Sequence, residues 1–455
     1  MTLTCFKAYD IRGRLGVDLD AAIAHRIGRA FAGALPARRV VIGHDCRASS
    51  VGLTEAVIAA LLQDGVEVLD LGLAGTEEMY HATTQFAADG GIEITASHNP
   101  IDYNGMKLVR AGSAPLDSAT GLAAIRALAS SADFAPAKPG GTRRDVAAEA
   151  RAAYVATVLG FVDVSALKPL HILVNAGNGT AGPTFDAIAA GLAAQNAPLT
   201  FTRLHHDPDG SFPHGIPNPL LIENRPATAN AVRAAGADMG VAWDGDFDRC
   251  FFFDHTGAFV DGEYIVGLLA EVFLAKEPGA SIVHDPRVIW NTKALVAAAG
   301  GRAVQSRTGH AFVKQAMRDT GAVYGGEMSA HHYFRDFVYC DSGMIPWLLI
   351  AELICRSGLS LAGLVASRKT AFPSSGEINF HLPDPKAAIA RVRAVYEPQS
   401  TAQDETDGLS LEMDDWRFNL RSSNTEPVVR LNVESRGNPD LLPARVAAIQ
   451  TMLLA

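Results

Sequence analysis

Gly91-Ile92-Glu93-Ile94-Thr95-Ala96-Ser97-His98-Asn99-Pro100 decides the reading of the chain. Ile92 and Ile94 recur at period two, as in a strand, and the polar run from Thr95 to Pro100 then breaks out as a loop at the strand's end. Open α/β sheets put their chemistry in such places. The surroundings support a sheet of this kind. Ile23, Ile27, Phe31 and Leu35 recur at helical spacing and are followed by a buried strand over 39–43, a helix over 53–63, a strand over 66–71 and a helix over 78–88. Ahead of them, Phe6 to Gly13 is too polar for a simple strand.

A Pro, Gly, Ala and Lys-rich linker at 135–141 ends the first unit, and a second follows: a helix through 154–159, a strand over 171–175, the Gly177-Asn178-Gly179 turn and a strand over 239–243 that opens onto Asp244. The proline-rich loop 207–219 lies between, long enough to be functional or mobile. A third unit has strands over 281–283, 302–305 and 322–324, helices over 292–299 and 311–318, and a polar loop from Gly325 to Ser329. Each unit thus ends a strand on a polar loop. Beyond helices over 344–356 and 361–367 come short alternating strands and a closing helix over 442–454. The expectation is three successive related α/β domains with mixed sheets plus a smaller C-terminal α+β domain, around a central cleft. The expected domains are residues 1–141, 142–253, 254–368 and 369–455.

Composition limits the functions open to the chain. At 455 residues and 48% hydrophobic it is long enough for several ordinary domains with real cores. The longest apolar stretches, 264–275 and 347–355, are interrupted by Glu271 and Glu352 and are too short to span a membrane. No signal peptide is visible over Met1 to Lys7, so a cytoplasmic location is expected. The five scattered cysteines form no CxxC pair and suggest neither a disulfide framework nor a zinc site. A net charge of −10 disfavours nucleic acid and anionic membrane as partners, although a local basic cleft for a phosphorylated substrate remains open.

Three motifs carry chemistry. Asp244, Asp246 and Asp248 place hard oxygens at alternate positions on a Gly-containing loop, which suits Mg²⁺. The EF-hand spacing is absent, so a calcium loop is disfavoured. Ser97 has no Gly-x-Ser-x-Gly elbow, which argues against acyl transfer, and a neighbouring metal points instead to phosphoryl transfer. Charge on the transferring group would be met by Mg²⁺, Arg249 and nearby amides. Arg421, Ser423, Asn424 and Thr425 combine a guanidinium fork, hydroxyls, an amide and backbone N–H groups suited to a phosphate dianion.

Thr95–Pro100, Asp244–Arg249 and Arg421–Pro427, read together and in this order as TASHNP, DGDFDR and RSSNTEP, resemble the α-D-phosphohexomutases over essentially the whole chain. The likeness is greatest to the bacterial phosphomannomutase/phosphoglucomutase branch. It implies that Ser97 carries a phosphate with an oxygen on Mg²⁺, and that the three aspartates are metal ligands rather than phosphatase nucleophiles. Lys107 matches the family's proposed acid/base lysine, and needs a neighbouring cation or burial to lower its pKa before it can act as a base at neutral pH. His98 either shares that role or holds the loop. Tyr9 and Arg12 are implied phosphate or substrate contacts, Glu327 and Ser329 resemble sugar-hydroxyl contacts, and His310 and His331 lie in loops of the same type. Two positions depart from the pattern: Ala330 replaces a frequent glycine, and Arg287, a further substrate contact, replaces a frequent lysine. Met328 favours the mannose/glucose branch over phosphoglucosamine.

The implied activity is interconversion of hexose 6- and 1-phosphates through a hexose 1,6-bisphosphate that also activates the enzyme. The expected substrates are mannose and glucose phosphates, serving GDP-mannose and exopolysaccharide, and the protein a monomer or dimer. The rivals are a sugar phosphatase, which would not retain the bisphosphate, and a silent phosphosugar-binding protein, which would have lost one of Ser97, Lys107, the aspartates or Arg421. All are present.

Overall fold

The computed structural model describes residues 2–422 and 428–455. The chain forms two compact units, residues 1–259 with 331–358 and residues 260–330 with 359–455. Packing explains why 331–358 joins the first unit. The buried helix Met344–Ser357 places Trp347 against Phe185 and Phe201, with ring centroids 5.7 and 6.0 Å apart. At its start the backbone N–H groups of Gly343 and Met344 donate to Glu77 at 2.9 and 3.1 Å.

In the first unit one sheet runs Ile11–Arg14, Tyr103–Arg110, Gly90–Ile94, Arg39–His44, Glu67–Leu73, Thr142–Asp145. Its middle strands are parallel, whereas Tyr103–Arg110 runs antiparallel to both neighbours. Helices Ala21–Ala34 and Ser50–Gln63 pack Ile27, Phe31, Val57 and Leu61 into the core beside this sheet. A second sheet runs Phe259–Val260, Cys250–Asp254, Met239–Trp243, Leu170–Asn175, Leu199–Leu204 and repeats the plan. Its three parallel strands end in an antiparallel one. The loop holding Ser97 and the loop holding the aspartates thus occupy equivalent places, each between the last parallel strand and an antiparallel return.

Two edges differ from expectation. The polar start contains a strand after all: Ile11–Arg14 pairs with Tyr103–Arg110, and Arg12 lies opposite Gly105, where a Cβ would fall 2.1 Å from the Ile11 carbonyl oxygen. The first sheet also runs past the expected boundary at 141, because Thr142–Asp145 pairs in parallel with Glu67–Leu73. All four residues of that strand are exposed. Likewise the second sheet reaches Val260, beyond the boundary at 253.

In the second unit, Arg302–Gln305, Ser281–His284 and Tyr324–Gly326 form parallel pairs flanked by helices. An antiparallel five-stranded sheet follows, in the order Ser374–His381, Val428–Ser435, Trp416–Ser422, Leu409–Glu412, Ala402–Asp404. One face is apolar and packs Phe418, Leu420, Leu431 and Val433 with Val392 and Ile449 of helices Pro385–Tyr396 and Leu441–Leu454. The alternate residues form a polar face, as period-two patterning requires. No single helix among the described residues is long and apolar enough to cross a membrane.

Candidate active site

Ser97 is 3% exposed and adopts φ of +48°, a left-handed conformation that a non-glycine residue holds only when its surroundings impose it. Buried Arg47 does much of this. Its guanidinium donates to the carbonyls of Ser97 and Asn99 at 3.0 and 2.6 Å and to those of Pro100 and Tyr103 at 3.0 and 3.3 Å. The aspartate loop presses from the other side: a Cβ on Gly245 would come 2.6 Å from the Ser97 carbonyl oxygen. Strand ends and loop backbone thereby fix the hydroxyl.

Ser97 Oγ donates to Asp244 Oδ2 at 2.7 Å. Arg249 donates to the same oxygen through Nε and Nη2 at 2.9 and 2.7 Å, and its Nη2 is 3.5 Å from Ser97 Oγ. Thr76 and Thr95 donate to Asp246 Oδ2 at 2.8 and 3.2 Å. The three aspartates are almost wholly buried, and an oxygen from each lies within 4.8 Å of the others. Asp246 Oδ1 and Asp248 Oδ1 have no hydrogen-bond partner among the described residues. Buried carboxylate oxygens left this way are costly unless a cation takes them. Three carboxylates against Lys107 and Arg249 also leave net negative charge, so the donor set fits a hard divalent ion such as Mg²⁺.

Lys107 is 5% exposed; its Nζ lies 2.7 Å from Asp246 Oδ2 and is also hydrogen-bonded to Asp248 Oδ2. Burial alone would lower its pKa, but Asp246 and Asp248 outweigh burial and raise it. The uncompensated Asp246 and Asp248 charges therefore favour the protonated lysine. Burial likewise opposes ionisation of Asp246, which Lys107 and Arg12 overcome; for Asp248 burial and the Asp246 charge prevail and its pKa rises.

His98 is exposed as a residue, with its Nδ1 turned towards Ser97 and Arg249. Its Nδ1 lies 3.0 Å from Ser97 Oγ and against Arg249. Desolvation, with the Arg249 and Arg12 charges, pushes its pKa well down and favours the neutral ring. Arg12 pairs with Asp10 and donates to Asn99 at 3.1 Å, and Tyr9 is half-buried in the bend before its strand. His331 also belongs here: its Nδ1 donates to the buried Asp341 at 3.1 Å and is 4.0 Å from Asp248.

The second unit holds a separate cluster. Asp285 Oδ2 accepts from Arg287 Nη2 at 2.6 Å and from the Met328 backbone N–H at 2.9 Å. Arg287 Nη2 also donates to Ser329 at 3.1 Å, and Glu327 accepts from the Gly309 backbone N–H at 2.9 Å. His310, half-buried, opens the helix His310–Thr320. Arg421 lies one residue before the end of the strand Trp416–Ser422, with Asp407 at 3.6 Å. Ser423, Asn424 and Thr425 lie outside the described residues.

Sequence reading missed Arg47, Thr76, Asp341 and Asp285. Arg47 was accessible in principle, because Asp45-Cys46-Arg47 follows the strand Arg39–His44 just as Ser97 follows its own. The other three carry no motif and are recognised only by what they touch.

Four family models match in order: phosphoglucomutase/phosphomannomutase α/β/α domains I, II and III over residues 4–136, 152–257 and 261–372, and the C-terminal domain over 377–450. A phosphomannomutase of Salmonella montevideo is 58% identical over 99% of both chains. A phosphomannomutase of Escherichia coli K12 is 56% identical over 99% of both. A crystal structure of a phosphoglucomutase/phosphomannomutase family protein from Burkholderia thailandensis superposes with a TM-score of 0.87 at 30% identity, covering 100% of this chain and 97% of that one. With four family domains matched in order and full-length relatives at 56 and 58% identity, the chain belongs to the phosphoglucomutase/phosphomannomutase family of α-D-phosphohexomutases.

Proposed function

We propose that this isomerase interconverts the 6- and 1-phosphates of mannose and, second, of glucose, by phosphoryl transfer through Ser97 and a hexose 1,6-bisphosphate. The observation that carries the reading is the buried Ser97 hydroxyl, 2.7 Å from Asp244 and within reach of Arg249. Asp244, Asp246 and Asp248 would hold Mg²⁺, which would supply positive charge beside the transferring phosphoryl group.

The chain's own residues do the rest. Arg249 neutralises charge on the same group, and Lys107, kept protonated, is the acid that returns a proton to the serine oxygen as phosphate leaves it. The incoming sugar hydroxyl needs a base, and His331, oriented by Asp341, suits that task better than an ammonium group. Arg12 and Tyr9 are contacts for substrate beside Ser97. Arg287, His310, Glu327, Ser329, Arg421 and the 423–425 segment bind sugar hydroxyls and the phosphate that is not transferring. After the first transfer the bisphosphate turns end for end and returns its other phosphate to Ser97. The same bisphosphate primes unphosphorylated enzyme. The reading puts the protein in the cytoplasm, with neither nucleic acid nor membrane as a partner.

The test is turnover of mannose, glucose and glucosamine 1-phosphates in Mg²⁺ with catalytic hexose 1,6-bisphosphate. Mannose and glucose should both turn over, mannose faster, and glucosamine poorly. A preference for glucosamine would overturn the sugar assignment, and release of inorganic phosphate at the rate of turnover would make the protein a phosphatase.

A further inference from the structure

Arg421 and Arg430 lie directly opposite one another on paired antiparallel strands. Like charges in that relation repel, so a sheet keeps them only where an anion is shared between them. Glu377, on the next strand, supplies one. Its carboxylate is 3.4 Å from Arg287 Nη1, 3.9 Å from Arg430 Nε and 4.0 Å from Arg421 Nη2. A bulge between Ser374 and Glu377, with Gly376 at φ of +64°, aims that side chain.

The contacts are loose. Arg287 holds Asp285 at 2.6 Å, far tighter than Glu377. Arg421 Nε and Nη2 and Arg430 Nε are buried and make no hydrogen bond among the described residues. Burial, with Arg287 and Arg430 close by, pushes the Arg421 pKa down, which marks a cluster short of negative charge. The Glu377 side chain is 24% exposed and can withdraw.

We propose that Glu377 is a built-in anion that occupies the guanidiniums of Arg287, Arg421 and Arg430 until a substrate phosphate displaces it, and that Arg430 is a further contact for that phosphate. The inference rests on the reading of Arg421 as a phosphate-binding residue. A phosphate dianion carries more charge and more acceptor oxygens than the carboxylate and replaces it; a singly charged anion such as chloride competes poorly. The internal carboxylate therefore makes the site selective for dianions at the expense of affinity.

The probe is inorganic phosphate, read both as a competitive inhibitor of mannose 1-phosphate turnover and by calorimetric titration of the full chain. Glu377→Gln should bind phosphate about 3- to 10-fold more tightly and become more sensitive to chloride. Arg430→Gln should bind phosphate about 3- to 10-fold more weakly. Glu377→Asp, shorter by one methylene, should shift affinity in the same direction as the Gln variant and stands in if that variant does not fold. Unchanged or weaker phosphate binding in both Glu377 variants would overturn the role of Glu377, and unchanged binding in Arg430→Gln that of Arg430. Arg421→Gln is the separate control: if it leaves phosphate binding intact, the underlying reading of Arg421 fails instead.

Discussion

Glu93, four residues before Ser97, is wholly buried on the strand Gly90–Ile94, and neither carboxylate oxygen meets a hydrogen-bond partner among the described residues. Burial, with Asp45 and Asp246 adding repulsion, raises its pKa well above 4.5. The folded state then holds a proton that the unfolded state gives up above that pH, so the contribution is most favourable below pH 4.5 and is lost as pH rises. Glu93→Gln should therefore gain stability over wild type on going from pH 5 to pH 8, by up to about 1.4 kcal/mol per pH unit, as read by denaturant unfolding. A constant difference would mean that Glu93 is ionised. Ala330, where glycine is frequent in the family pattern, has φ of +72° and is 3% exposed. Alanine is strained there, and Ala330→Gly should raise stability by about 1 kcal/mol in the same assay. At this scale the sequence was informative where chemistry is written as a motif, at Ser97 and the three aspartates. It was silent on Lys107's electrostatics, because the Asp246 and Asp248 charges that raise its pKa come from a loop more than a hundred residues away.

Among elements, the strands that deliver chemistry were legible because they are buried on both faces and read as apolar runs. Gly90–Ile94 and Met239–Trp243 are both buried throughout. The edge strands were not legible. Thr142–Asp145 has no apolar alternation and is held by backbone pairing and by Arg143, which bonds Asp70 and Glu55 at 2.6 and 2.9 Å. Ile11–Arg14 depends on Gly105 allowing a close approach. The loop after Gly90–Ile94 depends in turn on Arg47, whose planar fork reaches four carbonyls. Lysine keeps the charge but not the fork. Arg47→Lys should therefore lower kcat by about 10- to 100-fold with KM little changed, if the loop it holds serves to present the Ser97 hydroxyl to the phosphoryl group. An equal rise in KM with unchanged kcat would show that the arginine serves substrate binding instead.

For the molecule as a whole, the succession of α/β units was readable from period and loop chemistry, whereas the partition of 331–358 into the first unit was not. That partition rests on Trp347 meeting Phe185 and Phe201, and on Glu77 meeting the start of the helix, contacts that join residues far apart in the chain. The first unit also buries His332, whose pKa burial lowers to about 3. The unfolded state binds this proton from pH 6.5 downward and the folded state does not, so stability complete above pH 6.5 drains as pH falls toward 3. His332→Gln should flatten that part of the pH profile by up to about 1.4 kcal/mol per unit, and an unchanged slope would place the acid sensitivity elsewhere.

Ser97 is expected to carry the phosphate that the enzyme transfers. Wild type and Ser97→Ala, incubated with hexose 1,6-bisphosphate and Mg²⁺ and then quenched, are compared by peptide mass spectrometry and by mannose 1-phosphate turnover. One phosphoryl group is expected on the Ser97 peptide of wild type, none in the variant, with a loss of turnover of about a thousandfold or more. Phosphate on another residue, or full turnover in Ser97→Ala, would contradict it.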